Sequence, residues 1–182
     1  MSSYVTWAGA TSSLLAGHGL AIKNNIDKIL KQLHIDWLQL YDQALEKAYM
    51  TSGDQAMGAQ LVMAVFSGSD WCPYCQELAK EVFDSAEFKL WFNQHSMVPL
   101  LLDYPLNASQ PNNIRVQNAK LKAQYSIQGF PTVVAIKASG GYCIPKGGCV
   151  VNASEVGRIV GYPTGSGADN WIKTFSAMAN IK

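Results

Sequence analysis

Leu61-Val62-Met63-Ala64-Val65-Phe66-Ser67-Gly68-Ser69-Asp70-Trp71-Cys72-Pro73-Tyr74-Cys75 is the stretch on which the fold turns. Its first six residues form a continuous apolar run, the pattern of a strand covered on both faces. Ser67 to Asp70 read as a loop, and a helix begins at Cys72-Pro73. Pro73 suits a first helical position, where its missing N–H costs nothing. Leu78, Ala79 and Val82 lie three, four and seven residues past Cys75, so Cys75 is expected on the buried face and Cys72 exposed ahead of it. A thiolate at a helix N-terminus is stabilised by unpaired backbone N–H groups and by the positive end of the dipole. Its pKa falls, so it can attack a disulfide near neutral pH. A second thiol one turn on can resolve the mixed disulfide. A plain stapling disulfide and a zinc site built from all four cysteines are the alternatives for this pair.

Working outward, residues 1–23 are rich in Ser, Gly, Ala and Thr and read as an arm; Ile26, Ile29, Leu30 and Leu33 predict a short helix over 24–33. Trp37, Leu38, Tyr41, Leu45 and Ala48 predict a helix over 37–50, closed by Thr51-Ser52-Gly53-Asp54. The domain boundary is expected at 34/35, with 1–34 an appended arm and helix. Asp84 followed by Glu87 resembles a capping box for a helix carrying Phe88, Trp91 and Phe92. Val98 to Leu102 reads as a second buried strand, 105–113 as loop, 115–125 as helix and Thr132 to Ala138 as a third strand. Glu155 to Tyr162 is its expected hairpin partner, and Ala168 to Ala179 a closing helix with Trp171, Ile172 and Phe175. The order β-α-β-α-β-β-α implies an α/β fold with a mixed central sheet flanked by helices.

The bulk properties narrow the function. The formal net charge is +1 and 15% of residues are charged. No basic field points to nucleic acid. No stretch of 18 apolar residues suggests a membrane span. Met1 to Ala21 has no cationic start, and Leu14-Leu15-Ala16 is broken by Gly17, His18 and Gly19, so a secretory leader is not expected within it. A cytosolic protein or an exported one without its leader fits that. The four cysteines fall into two local pairs, Cys72/Cys75 and Cys143/Cys149, which suits an oxidising compartment. His18, His34 and His95 are scattered, and the glycine runs at 140–141, 147–148 and 165–167 lack the context of a nucleotide site. No cofactor is called for.

Phe66 to Cys75, together with Gly129-Phe130-Pro131-Thr132, resembles the thioredoxin superfamily. Glu81-Val82-Phe83 with Phe88, Leu102-Asp103-Tyr104-Pro105 and Leu121-Lys122-Ala123-Gln124-Tyr125 are similar to bacterial periplasmic thioredoxin-like proteins of the DsbH kind and to the C-terminal domain of DsbD. The resemblance covers about residues 35–180. It implies a thioredoxin fold, Cys72 as nucleophile, Cys75 as resolving thiol and Pro131 as a cis-proline beside the sulfurs. Trp71, Pro73, Tyr74, Phe130 and Pro131 would then meet the substrate. It implies a disulfide reductase or isomerase of the cell envelope, with thiol- or disulfide-bearing client proteins and a separate redox partner. A glutathione-linked, glutaredoxin-like reductase and a fold-alike adaptor or chaperone without turnover are the competing expectations.

Three departures from the family pattern stand out. The buried Asp that thioredoxins carry six residues before the nucleophile aligns with Phe66, and the Lys facing it with Pro99. Cys75 would thus be deprotonated with the help of water or Glu77. Pro73-Tyr74 is the glutaredoxin dipeptide and implies a couple of about −200 to −230 mV. Finally, Cys143 and Cys149 lie in an enlarged hairpin, where a local structural disulfide is expected and a second redox centre is the alternative.

Overall fold

The computed structural model describes residues 34–51, 61–144 and 147–181. The arm at 1–23, the helix at 24–33, the helix stop at 52–54 and Pro145 lie outside the described residues. Residues Ile35–Lys182 form one compact unit.

The elements are α1 (Tyr41–Thr51), β1 (Leu61–Ser67), α2 (Pro73–Leu78), α3 (Ala86–Gln94), β2 (Val98–Asp103), α4 (Asn112–Gln124), β3 (Thr132–Cys143), β4 (Cys149–Val160) and α5 (Gly167–Ala179). A π-helical turn, Ala79–Phe83, continues α2 directly. The sheet order is β2-β1-β3-β4. β1 pairs parallel with β2 and antiparallel with β3, so the sheet is mixed.

The apolar run of β1 is explained by its central place, with a core on each face. Val62, Ala64 and Phe66 point to one face, with α1, Leu121 and Tyr125. Met63 and Val65 point to the other, with Leu78, Val82, Phe88, Phe92, Trp171 and Phe175. This face is rich in ring contacts: Phe83 and Phe88 lie 5.0 Å apart, and Trp171 stacks on Phe175 at 5.1 Å.

Four elements differ from their sequence-based bounds. The first helix starts at Tyr41, because Leu38 instead bridges β2: its N–H donates to the Pro99 carbonyl at 3.0 Å, and its carbonyl accepts from Leu101 at 2.8 Å. Proline is tolerated at position 99 because its missing N–H falls on this outer side of β2. The cap of α3 is Ser85, not Asp84; its side chain accepts from Phe88 N–H at 3.1 Å. The fourth helix opens at Asn112 rather than 115. The enlarged hairpin is strand nearly to its tip, since β3 runs on to Cys143 and β4 begins at Cys149. Two bulges lie within that ribbon, between Ala135/Ile136 and Ser139/Gly141.

Among the described residues no helix is long and apolar enough to cross a membrane.

Candidate active site

β1 ends at Ser67, and the chain turns through Gly68 to reach α2. The turn is tight: Trp71 and Cys72 N–H both donate to the Gly68 carbonyl, at 3.2 and 2.8 Å. Gly68 is required because a Cβ there would collide with the Trp71 indole. Two carboxylates clamp the loop. Asp103 accepts from Ser69 N–H at 2.9 Å and from its hydroxyl at 2.6 Å. Asp70 accepts from the N–H groups of Leu106, Asn107 and Ala108 at 3.0, 2.7 and 3.0 Å. These donors, Leu106 foremost, hold the Asp70 carboxyl below the usual carboxylate range.

Cys72 is the N-cap of α2, and Pro73 follows it in the first turn. The two sulfurs of Cys72 and Cys75 are joined in a disulfide, with Cα atoms 5.3 Å apart. Cys75 N–H points at the Cys72 sulfur from 3.3 Å, and Gly68 N–H at the Cys75 sulfur from 3.5 Å. Each sulfur therefore already faces a backbone donor able to stabilise a thiolate. Contrary to the sequence expectation, Cys72 is as buried as Cys75, each 4% exposed. As the helix cap it turns its sulfur inward to the Cys75 N–H and sulfur, away from solvent. Around it Tyr74 is 56% and Trp71 41% exposed.

Pro131 is buried, and its peptide bond with Phe130 is cis. The Trp71 ring meets Phe130 edge-on at 5.8 Å, and Phe130 meets Tyr104 at 5.0 Å. Trp71 Nε1–H donates to the Tyr104 carbonyl at 2.8 Å. Lys122 Nζ lies 5.0 Å from the Phe130 centroid, in cation–π range. Burial pushes the Tyr104 hydroxyl upward, so it stays neutral and donates to the Asn118 carbonyl at 2.6 Å. Pro131 thus lines the same cavity as Cys75, and Trp71, next to Cys72 in the chain, meets Phe130, while Tyr74 and Pro73 are exposed at the helix start. The sequence had assigned no role to Gly68, Asp70, Asp103 or Tyr104. The one signal for them was Leu102-Asp103-Tyr104-Pro105, a strand end carrying a polar pair.

Behind Cys75 lies a cavity of about 350 Å³, walled by Trp37, Val65, Ser67, Leu78, Phe83 and Pro131 among others. Phe66 is not in that wall. It points to the opposite face of the sheet, where it stacks on Tyr104 at 6.4 Å. The β1 residues facing the Cys75 cavity are Val65 and Ser67, neither of them ionisable. Glu77 is engaged elsewhere, accepting from Thr164 Oγ1 at 2.6 Å. The carboxylate in the cavity lining is that of Asp84, an exposed residue.

Cys143 and Cys149 are also joined in a disulfide. They sit at the far end of β3 from Pro131, up to about 35 Å away at ~3.3 Å per strand residue. Four sulfurs so divided cannot surround one zinc ion, which removes that alternative.

A family model described as a thioredoxin-like domain matches residues 55–175. The disulfide bond reductase DsbH of Chlamydia pneumoniae is 40% identical over 75 residues, 41% of this chain and 45% of that protein. The thioredoxin-related protein DsbJ of the same organism is 33% identical over 103 residues, 56% of this chain and 27% of that one. The matched stretches span less than half of either relative. Among solved structures, a DsbH oxidoreductase superposes with a TM-score of 0.63 at 25% identity, covering 82% of this chain and 87% of its own. A thioredoxin from Thermus thermophilus shares the fold at a TM-score of 0.50 and 20% identity, over 79% and 85% of the two chains.

Proposed function

We propose, on the premise that this chain belongs to the thioredoxin-like family, that it is a thiol–disulfide oxidoreductase acting on protein disulfides through Cys72 and Cys75. The observation that carries this is the Cys72–Cys75 disulfide at the mouth of α2, with a backbone N–H aimed at each sulfur. In the reduced protein, Cys72 as helix cap is the thiol whose anion the Cys75 N–H and the helix start stabilise. Its thiolate attacks one sulfur of a client disulfide; that bond breaks, and the other client sulfur leaves as a thiolate and takes up a proton. Cys75 then loses its proton, attacks Cys72 and releases the second client thiol. Two electrons pass to the client, and the Cys72–Cys75 disulfide is left behind. A redox partner must reduce it again for another turn. With a mispaired client the same first step begins isomerisation.

Trp71, Phe130 and Pro131 form the proposed client contact, with Pro73 and Tyr74 on the facing helix start. The edge-on contact of Trp71 with Phe130 supports a client lying across these residues. Residues 35–182 are the proposed catalytic unit and 1–34 an appended arm. An oxidising compartment such as the bacterial periplasm is the proposed home. The second disulfide supports it, since exposed disulfides are rare where glutathione and thioredoxin keep thiols reduced.

Insulin reduction with dithiothreitol as electron donor tests the activity. Wild type is expected to turn over, Cys72→Ser to fall to the uncatalysed rate, and Cys75→Ser to accumulate mixed disulfides with insulin. An adaptor without turnover would leave the wild-type rate at background.

A further inference from the structure

The Cys143–Cys149 pair has features that a simple staple does not need. The two residues are register partners across the β3–β4 ribbon, with Cα atoms 4.0 Å apart and a sequence separation of 6. Backbone bonds also close the same hairpin: Ile144 N–H donates to the Gly148 carbonyl at 3.2 Å, and Gly147 N–H to the Ile144 carbonyl at 2.8 Å. A covalent loop this short restrains the unfolded chain little.

The pair is also accessible. Cys143 is exposed and Cys149 partly so. Around the bond, extended backbone presents Tyr142, Ile144 and Val150 at 63%, 53% and 51% exposure. An extended segment with bare apolar side chains around an accessible disulfide is what a thiol–disulfide exchanger meets in an unfolded client. The Met50 side chain touches the pair. Met50 Sδ lies 3.7 Å from the Cys143 sulfur and 3.9 Å from the Cys149 sulfur. No S–H remains in a disulfide, so these are sulfur–sulfur contacts. Met50 is itself 62% exposed, and an unbranched thioether moves aside at little cost.

We propose that Cys143–Cys149 is a second exchangeable disulfide, an electron acceptor for the dithiol of another thioredoxin-fold molecule. The donor cannot be the same molecule's Cys72, since β3 separates the two sites by up to about 35 Å. A donor thiolate attacks one sulfur of the pair, the Cys143–Cys149 bond breaks, and the freed thiolate takes up a proton. The donor's second thiol then attacks the mixed disulfide and releases the other cysteine as a thiol. The donor ends as a disulfide and the ribbon as a dithiol, with two electrons and two protons transferred.

The donor chosen for the test rests on the function proposed above. Full-length Cys72→Ser/Cys75→Ser protein, its second disulfide intact, serves as acceptor. Reduced, nitrogen-15-labelled wild-type protein serves as donor, so that mass separates the two chains. After mixing without oxygen, acid quenching and alkylation, the acceptor is expected to gain two alkyl groups. Its rate should rise in proportion to donor concentration and exceed that with glutathione at equal thiol concentration at least tenfold. A Cys75→Ser donor should yield a covalent heterodimer. An unchanged acceptor, with a donor preparation that does reduce insulin, overturns the proposal, and so does glutathione matching the protein donor. If the donor reduces neither, the proposed activity has failed on its own, and a reduced bacterial thioredoxin takes its place. Inertness of the acceptor to that dithiol overturns the exchangeable-disulfide proposal, and its reduction supports it.

Discussion

Asp70 spends one carboxylate on three backbone N–H groups, and through them fastens the 106–108 turn to the loop before Cys72. Those donors favour its ionised form, so its folded pKa lies below the unfolded value of about 3.9. The sign follows by linkage: the stabilisation is present above the unfolded pKa and is lost as pH falls through the lower folded one. The melting temperature of wild type is therefore expected to fall more steeply between about pH 5 and 2 than that of Asp70→Asn. Parallel curves would show that Asp70 carries no such linkage. The thiol pair was legible in the sequence because C-x-x-C after a buried strand has few other uses. What the sequence missed was which side chain faces Cys75. Counting six residues back reaches Phe66, but strand alternation puts Phe66 on the opposite face and Val65 and Ser67 on the cavity side. The burial of Cys72 was equally hidden, since spacing along a helix says nothing of how its cap folds inward.

At the scale of elements, Ser85 and Asp84 are both competent caps, and only the backbone decides between them. Ser85 is extended, at φ −68° and ψ 151°, while Asp84 lies in the helical region. Ser85→Ala is expected to cost about 1 kcal/mol. That lowers the melting temperature by about 2–4 °C in a protein of this size. Asp84→Ala should stay within about 0.5 kcal/mol, as for an ordinary surface change. The reverse order in thermal melts would restore Asp84 as the cap. The same ambiguity explains the other boundary errors. Trp37 and Leu38 fit a helical stripe, yet the carbonyl of Pro99 and the N–H of Leu101 draw Leu38 into an extended bridge, a tertiary contact no local pattern contains. Ser139-Gly140-Gly141 reads as loop. Gly140 instead takes a positive φ of 55° inside a bulge, and a Cβ on Gly141 would strike the Val150 carbonyl. β1 and α5, by contrast, were legible because each presents a long, unbroken apolar pattern to a core.

At the largest scale, the unit of residues 35–182 is two cores divided by one sheet, and the expected mixed sheet with its thioredoxin fold is the one found. Phe175 sits fully buried in the core that backs α2, against Trp91 and Trp171. Phe175→Ala is expected to lower the unfolding free energy by about 3–5 kcal/mol. Insulin turnover per folded molecule should remain, because Phe175 touches neither sulfur. Denaturant unfolding together with the insulin assay checks both halves; a loss under about 1 kcal/mol would mean the core collapses around the hole. On the outside of the sheet, β4 has no neighbour on its far side among the described residues. It shows Val156 and Val160 to solvent at 41% and 65%, besides Val150 near its tip. A long, flat border of that kind invites strand after strand from other chains and ends in fibrils. The bulges oppose it: Val156 drops out of register on β4 and Gly140 on β3, and such irregularities bend a ribbon and break a straight border. The kinks that made this hairpin hard to recognise thus work against polymerisation through the protein's own sheet.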